Sequence, residues 1–543
     1  MLNAAFTIER PQNEPVLSYA PGSPERQQIK AVLDEFRSKE IEIPLIIGGR
    51  EVRTGRTAAC IVPHDHRHRL AVFHLAGPKE AAMAVEAARA AARQWAATDW
   101  ADRLAVFMKA ADLIAGPYRM RMNAATMLGQ GKNIHQAEIE AACESADFLR
   151  FYCWNAARLF GLQPISDPGV WNQMEYRPLE GFVFAISPFN FTALNVNLAS
   201  APALVGNTVV WKPASTAVYA AYHLMQIFQE AGLPDGVINF LPGPGSELGP
   251  PLLRHPELAG VHFTGSTDVF REIWRTVGVH IDRYRSYPRL VGETGGKDFV
   301  FAHPSADLQA LAVALVRGAF EYQGQKCSAA SRAYIPQSLW PALKDLLLEM
   351  IGSIRVGPPE DFSNFVNAVI DKAAFDKIAA YIDFAQKSPD AEIIAGGTFD
   401  DRTGYFIHPT VIVAKKPDFK TMVEEIFGPV LTLFIYDDDR YEETLALCDR
   451  TSPYALTGAI FARQRQAIVT AKKVLTNTAG NFYINDKPTG AMIGQQPFGG
   501  SRASGTNDKA GTLLNLLRWV SPRTIKEVFI PATDYRYPFM ESE

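Results

Sequence analysis

Cys327 lies in the run Glu321-Tyr322-Gln323-Gly324-Gln325-Lys326-Cys327-Ser328-Ala329-Ala330, and a second run, Gly292-Glu293-Thr294-Gly295-Gly296-Lys297, precedes it. A thiolate is the strongest nucleophile a protein offers near neutral pH, and a carboxylate can activate the water that releases a covalent adduct. Framed by glycines that allow close approach, the two groups point to covalent chemistry on a carbonyl carbon. A lone cysteine is more often a small buried hydrophobe, and it is the company of Glu293 and the glycines that sets Cys327 apart. The five cysteines, Cys60, Cys143, Cys153, Cys327 and Cys448, are odd in number and widely spread. They form neither a disulfide framework nor a zinc-ligand spacing, so no metal site is expected.

A second constellation suits a phosphate-bearing cofactor. Val261-His262-Phe263-Thr264-Gly265-Ser266-Thr267 reads as a strand, a glycine turn and a helix start with Ser266 as N-cap. The unpaired N–H groups and positive dipole end of such a helix suit a pyrophosphate, although ordinary β–α turns look the same. Gly243-Pro244-Gly245-Ser246-Glu247-Leu248-Gly249 misses the dinucleotide glycine spacing by one residue and is expected to be a structural loop. Trp211-Lys212-Pro213 ends another apolar run, which places an ammonium where strand ends gather ligands.

The elements that must hold these groups follow from pattern. Apolar runs at 181–186, 207–211, 237–241 and 259–263 alternate with helical periods at 192–205, 216–231 and 267–279. Strands that are apolar on both faces, separated by helices, predict a doubly wound parallel sheet. Helical periods at 79–95, 102–114 and 139–159 lie over it. A second α/β unit follows, with helices near 308–320, 339–351 and 373–387 and strands at 430–434 and 457–461. Residues 1 to 60 read as an arm with a helix around 27–37. The tail after Trp519 has no evident core partner, so it is either mobile or a strand lent to another subunit.

At 543 residues the chain exceeds one hydrophobic core, and its 47% apolar and 21% charged content is that of a soluble protein. A net charge of -4 gives no reason to expect nucleic acid or an anionic membrane as partner. No apolar stretch has transmembrane length, and Met1-Leu2-Asn3-Ala4-Ala5-Phe6 lacks the basic start of a secretory signal. A cytoplasmic location is expected, or the mitochondrial matrix if the source is eukaryotic.

Taken together, the runs resemble the aldehyde dehydrogenase superfamily. The matching pieces are Ser187-Pro188-Phe189-Asn190, Trp211-Lys212-Pro213, Phe263-Thr264-Gly265-Ser266, Glu293-Thr294-Gly295-Gly296-Lys297, Gly324-Gln325-Lys326-Cys327, Glu425-Ile426-Phe427-Gly428-Pro429 and Pro497-Phe498-Gly499-Gly500. Longer runs resemble the branch that oxidises L-glutamate γ-semialdehyde, in its stand-alone form. Among them are Glu14-Pro15-Val16-Leu17, Asn481-Phe482-Tyr483-Ile484-Asn485-Asp486-Lys487 and Gly494-Gln495-Gln496-Pro497-Phe498-Gly499-Gly500.

The resemblance implies an α/β fold of three parts. An NAD-binding domain would take 61–163 and 178–296 with part of 485–518, a catalytic domain 297–484, and an oligomerisation flap 164–177 with 519–543. It implies Cys327 as nucleophile, Glu293 as hydrolytic base and Asn190 with the Cys327 N–H as oxyanion donors. NAD would be held by Ser187, Pro188, Lys212, Gly265, Ser266, Glu425 and Phe427. Ser215, three residues after Lys212, carries no charge to repel a 2′-phosphate, so NADP stays open. The substrate carboxylate would meet Ser328 and the backbone of Gly490 and Ala491, with Phe191 and Phe498 walling the aliphatic chain. Lys297 is expected to be an ion-paired or loop residue.

Some relatives carry Ser where this chain has Ala491, which removes one side-chain hydrogen bond. The partners implied are the semialdehyde, a second copy of the chain in a dimer-based oligomer, and a transient proline dehydrogenase. The alternatives are an oxidoreductase for another semialdehyde such as succinate semialdehyde, an acyl reductase that would need no hydrolytic base, and a retired enzyme that keeps only the fold.

Overall fold

The computed structural model describes residues 7–542. The first six residues of the expected arm and the last residue of the expected flap lie outside that range. Two seven-stranded sheets organise the molecule. The first runs in the order Arg289–Glu293, Leu258–Thr264, Phe182–Ile186, Thr208–Lys212, Ile238–Phe240, Leu45–Ile47, Arg50–Val52. Its first four pairings are parallel and its last two antiparallel, so Leu45–Ile47 alone runs against the other six strands. Phe182–Ile186 is buried at every position but its last, because helices cover both faces. The expected strands and intervening helices appear within two residues of their expected limits.

The second sheet runs Ala391–Ala395, Thr410–Ala414, Val430–Tyr436, Ala330–Pro336, Asp298–Ala302, Thr457–Phe461, Asn481–Ile484, parallel throughout except at its first pair. Glu293 is the last residue of an edge strand in the first sheet, and Asp298 opens a strand of the second. Residues 294–297 are therefore the whole link, and the carboxyl edge of one sheet meets the amino edge of the other. Asp298 pairs with Ala330, which brings the run containing Glu293 alongside the run containing Cys327.

Several expectations need correction. The glycine-rich run at 243–249, expected as a loop, opens the helix Gly245–Leu253, with Pro244 as its N-cap residue. Residues 45–52 of the expected arm are two strands of the first sheet. The helical period at 139–159 begins as a π-helix, Glu138–Glu144, before Ser145–Phe160 continues as α-helix. The tail does have a partner: Val520–Val528 pairs antiparallel with Val170–Pro178 along its full nine residues. The helix Arg119–Gln130 shows no amphipathic period because residues 122–130 are all buried. No helix among the described residues is long and apolar enough to cross a membrane.

Candidate active site

Cys327 follows a strained turn. Tyr322, Gln323 and Gly324 take positive φ of 51°, 55° and 65°. Such a conformation costs a non-glycine residue about 1–2 kcal/mol, so the surroundings must impose it. They do so through buried amides. Gln323 donates through Nε2 to the carbonyls of Gly131 (2.8 Å) and Ala368 (2.9 Å) and accepts the Asn367 N–H at 2.9 Å. Gln325 accepts the Ile370 N–H at 2.9 Å. A Cβ on Gly324 would stand 2.2 Å from the Gly428 carbonyl oxygen, so the glycine is obligatory there. The result is a fixed loop that presents a partly exposed thiol.

Asn190 is held beside that loop: its amide Nδ2 donates to the Gln325 carbonyl at 3.1 Å. An Asn amide has two N–H donors, so one is spent on orientation and one remains. Glu293 and Cys327 line the same cavity of about 280 Å³. Among the described residues, Glu293 Oε2 has no hydrogen-bond partner. Burial raises the Glu293 carboxyl well above the usual range; the Lys509 ammonium opposes that rise and the Asp508 carboxylate adds to it. Burial likewise raises the Cys327 thiol, and the carboxylates Asp298, Glu293 and Glu425 raise it further. Both shifts favour the protonated form of the group concerned, the thiol and the carboxyl that share the cavity.

The parallel register of the first sheet sets a row of groups along its carboxyl edge. Ile186 pairs with Lys212, Phe263 with Ile186, and Thr264 with Glu293. The Thr267–Val279 helix starts there, with the Ser266 side chain accepting the Val269 N–H at 3.4 Å. Lys212 Nζ donates to the Pro213 carbonyl at 3.1 Å, has no carboxylate partner among the described residues, and is pushed down to about 8 by burial. Its stem lies 3.7 Å from where a Gly245 Cβ would be, so the N-terminus of the Gly245–Leu253 helix adjoins it. Across the cleft, Glu425 accepts the Gly296 N–H at 2.9 Å, and the Phe427 ring, on a residue with φ 62°, meets Phe189 edge-on at 5.8 Å.

Two side chains sit differently from expectation. The Ser187 hydroxyl faces inward, donating to Asn195 at 2.6 Å and accepting the Trp211 indole N–H at 2.9 Å, which leaves only its backbone for the cleft. Lys297 lies in the 294–297 link, as the loop alternative had it, but has no ion pair among the described residues: its amine donates to the Ser331 hydroxyl at 2.5 Å, and burial lowers it to about 7.

The same cavity is lined also by Ser328, Thr489, Gly490, Ala491, Phe191 and Phe498. Ser328 donates to the Thr489 hydroxyl at 2.8 Å, and Gly490 takes φ 93°, open to a glycine. Sequence reasoning missed the charges that share this wall. Glu140 and Glu144, four apart on the π-helix, line it with Asp147, Lys326 and Lys487. Burial, reinforced by Glu140, raises Glu144 to about 8. Lys326 pairs with Glu321 at 2.9 Å and Lys132 with Glu140 at 2.8 Å, the latter ammonium also lying 4.1 Å from the Phe191 ring centre. The four-residue carboxylate spacing was visible in the sequence, but nothing local says that it faces Cys327.

Residues 51–524 match the model of the aldehyde dehydrogenase family. The chain is 54% identical over 540 residues to the mitochondrial Δ1-pyrroline-5-carboxylate dehydrogenase of Dictyostelium discoideum, covering 99% of this chain and 97% of that protein. It is 49% identical over 530 residues to the human mitochondrial enzyme of that name, covering 97% and 94%. A Mycobacterium tuberculosis Δ-pyrroline-5-carboxylate dehydrogenase crystallised with NAD superposes with a TM-score of 0.97 at 51% identity, covering the whole of both chains. A thiol and an unpaired carboxyl oxygen on one cavity where two largely parallel sheets meet, with an oriented amide beside the thiol's loop, together with matches of this extent, make the chain a member of the aldehyde dehydrogenase family.

Proposed function

We propose that the protein oxidises L-glutamate γ-semialdehyde to L-glutamate, with NAD as acceptor and with Cys327 as the covalent nucleophile. The observation that carries this reading is the single cavity shared by Cys327, Glu293, the Gly490–Ala491 backbone and a mixed set of carboxylates and ammoniums. A simple aliphatic aldehyde has no use for charge of both signs at the far wall. A substrate ending in an α-carboxylate and an α-ammonium does. Lys326, Ser328 and the Gly490 and Ala491 N–H groups suit the carboxylate, and the carboxyl oxygens of Glu144 and Asp147 can accept from the ammonium. Phe191 and Phe498 line the apolar stretch between that end and the thiol.

Along the sheet edge, the Thr267–Val279 helix N-terminus at Gly265 and Ser266 suits a pyrophosphate, and the nearly free Lys212 amine and the Glu425 carboxylate suit ribose hydroxyls. Phe427, Pro188 and the Ser187 backbone complete that lining. Bound there, NAD supplies the hydride acceptor that turns a hemithioacetal into a thioester.

The rest is the work of the chain. Cys327 sulfur bonds to the aldehyde carbon as its proton passes to solvent water and the aldehyde oxygen becomes an oxyanion. The free Asn190 N–H and the Cys327 backbone N–H stabilise the oxyanion, each donor worth about 3–4 kcal/mol in such sites. Glu293 then takes a proton from water, whose oxygen adds to the thioester carbon. The sulfur departs with a proton, the carboxylate product forms, and the thiol is restored. A carboxylate raised by burial is a better base near neutrality than an exposed one. The hydrolytic base also separates this chemistry from acyl reduction.

The Val170–Pro178 and Val520–Val528 ribbon, with Trp171, Phe529 and Ile530 exposed along it, fits a contact between copies of the chain. A panel of glutamate, succinate and simple aliphatic semialdehydes or aldehydes, each with NAD and with NADP, tests the assignment. Glutamate semialdehyde with NAD should give the highest kcat/KM by at least about tenfold, the value of one retained charged hydrogen bond. Equal values for succinate semialdehyde would remove the substrate assignment while leaving the reaction type.

A further inference from the structure

The run Glu14-Pro15-Val16-Leu17 has no place in the chemistry above, yet Glu14 and Val16 line the same cavity as Cys327. Glu14 lies about 310 positions before the nucleophile in sequence, so something must hold this segment against the site. The holding group is the side chain of Asn13. Its Nδ2 donates to Asp147 Oδ2 and to the Ile493 carbonyl, both at 2.8 Å, and its Oδ1 accepts from Gln495 Nε2 at 2.8 Å. Two donors and one acceptor are thereby engaged by two separate parts of the chain. The adjoining Glu14 N–H donates to the other Asp147 oxygen at 2.9 Å, and the Leu17 N–H to Glu138 at 2.8 Å. Glu14 itself bridges Arg119 (2.7 Å) and Arg150 (2.6 Å).

We infer that Asn13 is a positioning residue for substrate recognition: its amide clamps the N-terminal segment 13–17 and Asp147 to the 489–496 loop, and so fixes the Gly490 and Ala491 N–H groups. The inference rests on the assignment of that loop to the substrate carboxylate. Val16, Gly490 and Met492 are exposed members of the cavity wall, and the Asn13 bonds join the segment to the loop beside them. The loop is anchored at buried Thr489, bonded to Ser328, and at buried Ile493, while Gly490 and Met492 between them are exposed, so the Asn13 bond to the Ile493 carbonyl acts at one end of the exposed stretch. Asn is required because both of its N–H groups point at oxygen. Asp at this position would set a carboxylate against Asp147 and the Ile493 carbonyl, and Ala would leave all three partners without the bridge.

Steady-state kinetics of the full chain separates this role from general stabilisation. With saturating NAD, Asn13→Ala should raise KM for glutamate semialdehyde about tenfold, equivalent to one or two lost hydrogen bonds. Its kcat should stay within about twofold, and Asn13→Asp should raise KM further. Propanal, which lacks the amino-acid end, should keep its wild-type kinetics in both variants, as should the KM for NAD. Gln495→Ala, at an exposed position, removes only one bond of the clamp and should raise the semialdehyde KM about threefold, which guards against misfolding of the Asn13 variants. Equal losses with propanal and the semialdehyde, or no change with either, would overturn the inference. A wild-type protein that prefers glutamate semialdehyde while Asn13→Ala is unaffected would defeat the clamp alone. A wild-type protein with no such preference would remove the substrate reading and the clamp together.

Discussion

Cys327 and Glu293 were legible as residues because their types carry the chemistry and their runs carry the glycines. What holds them was not. Gln323 and Gln325 fix the turn before Cys327 through Gly131, Ala368, Asn367 and Ile370, all of them more than 40 positions away, and an amide's partner is invisible in a linear chain. The same holds for Lys509, whose amine donates to the Gly480 (2.9 Å) and Gly499 (3.0 Å) carbonyls. A Cβ on Gly499 would stand 2.9 Å from Glu293 Oε1, so Lys509 reaches the base across one glycine. Burial raises the Glu293 carboxyl, the Lys509 charge holds it down, and Asp508, itself 3.3 Å from Arg518, pushes it up. Hydrolysis needs the carboxylate, so turnover should fall as pH drops through this raised value, at higher pH than for an exposed glutamate. Lys509→Met removes the opposing cation and should move that acidic limb to still higher pH, with Lys509→Arg restoring it. A limb that stays where it is in the methionine variant would show that the ammonium does not act on the base.

At the level of elements, strands that are apolar throughout and helices with clear starts were read close to their true limits, as at Thr267–Val279 and Leu308–Phe320. Elements whose identity depends on what surrounds them were not. Arg119–Gln130 is buried along most of its length and so loses its period, and Pro244 disguises the start of Gly245–Leu253 as a turn. The Thr267–Val279 helix offers a direct test of the cofactor assignment. Its Ser266 cap bond is long at 3.4 Å, and replacing a capping serine by alanine typically costs ~1 kcal/mol of helix stability. Ser266→Ala should therefore raise the KM for NAD about three- to tenfold. The KM for the semialdehyde should not move, because that end of the cavity is built from other elements. Parallel increases in both constants would place the helix start outside the cofactor site.

For the whole molecule, the carboxyl edge of one parallel sheet meets the amino edge of another through a four-residue link, and the reacting groups gather at that seam. The doubly wound sheet followed from alternation of apolar runs and helices. The ribbon that joins Val170–Pro178 to Val520–Val528 did not follow from pattern, because its partners lie 342–358 positions apart and each strand alone reads as a surface segment; only the family resemblance grouped the two segments in one flap. Its exposed apolar side chains set an expectation for assembly. Truncation after residue 519 should lower the mass seen by light scattering to that of one chain, while a Tyr176→Ala substitution, which leaves the ribbon's exposed face in place, should not. An unchanged mass in the truncated protein would locate the contact between copies elsewhere.

The account turns on a covalent bond from Cys327 sulfur to the substrate carbon that Glu293 is needed to break by hydrolysis. Intact-protein and peptide mass spectrometry of Glu293→Gln, mixed with NAD and glutamate semialdehyde and quenched in acid, addresses that bond directly. The expected result is a γ-glutamyl adduct on the peptide containing Cys327, formed with a near-stoichiometric burst of NADH and absent from Cys327→Ala. An adduct on another residue, or sustained NADH production by Cys327→Ala, would contradict it.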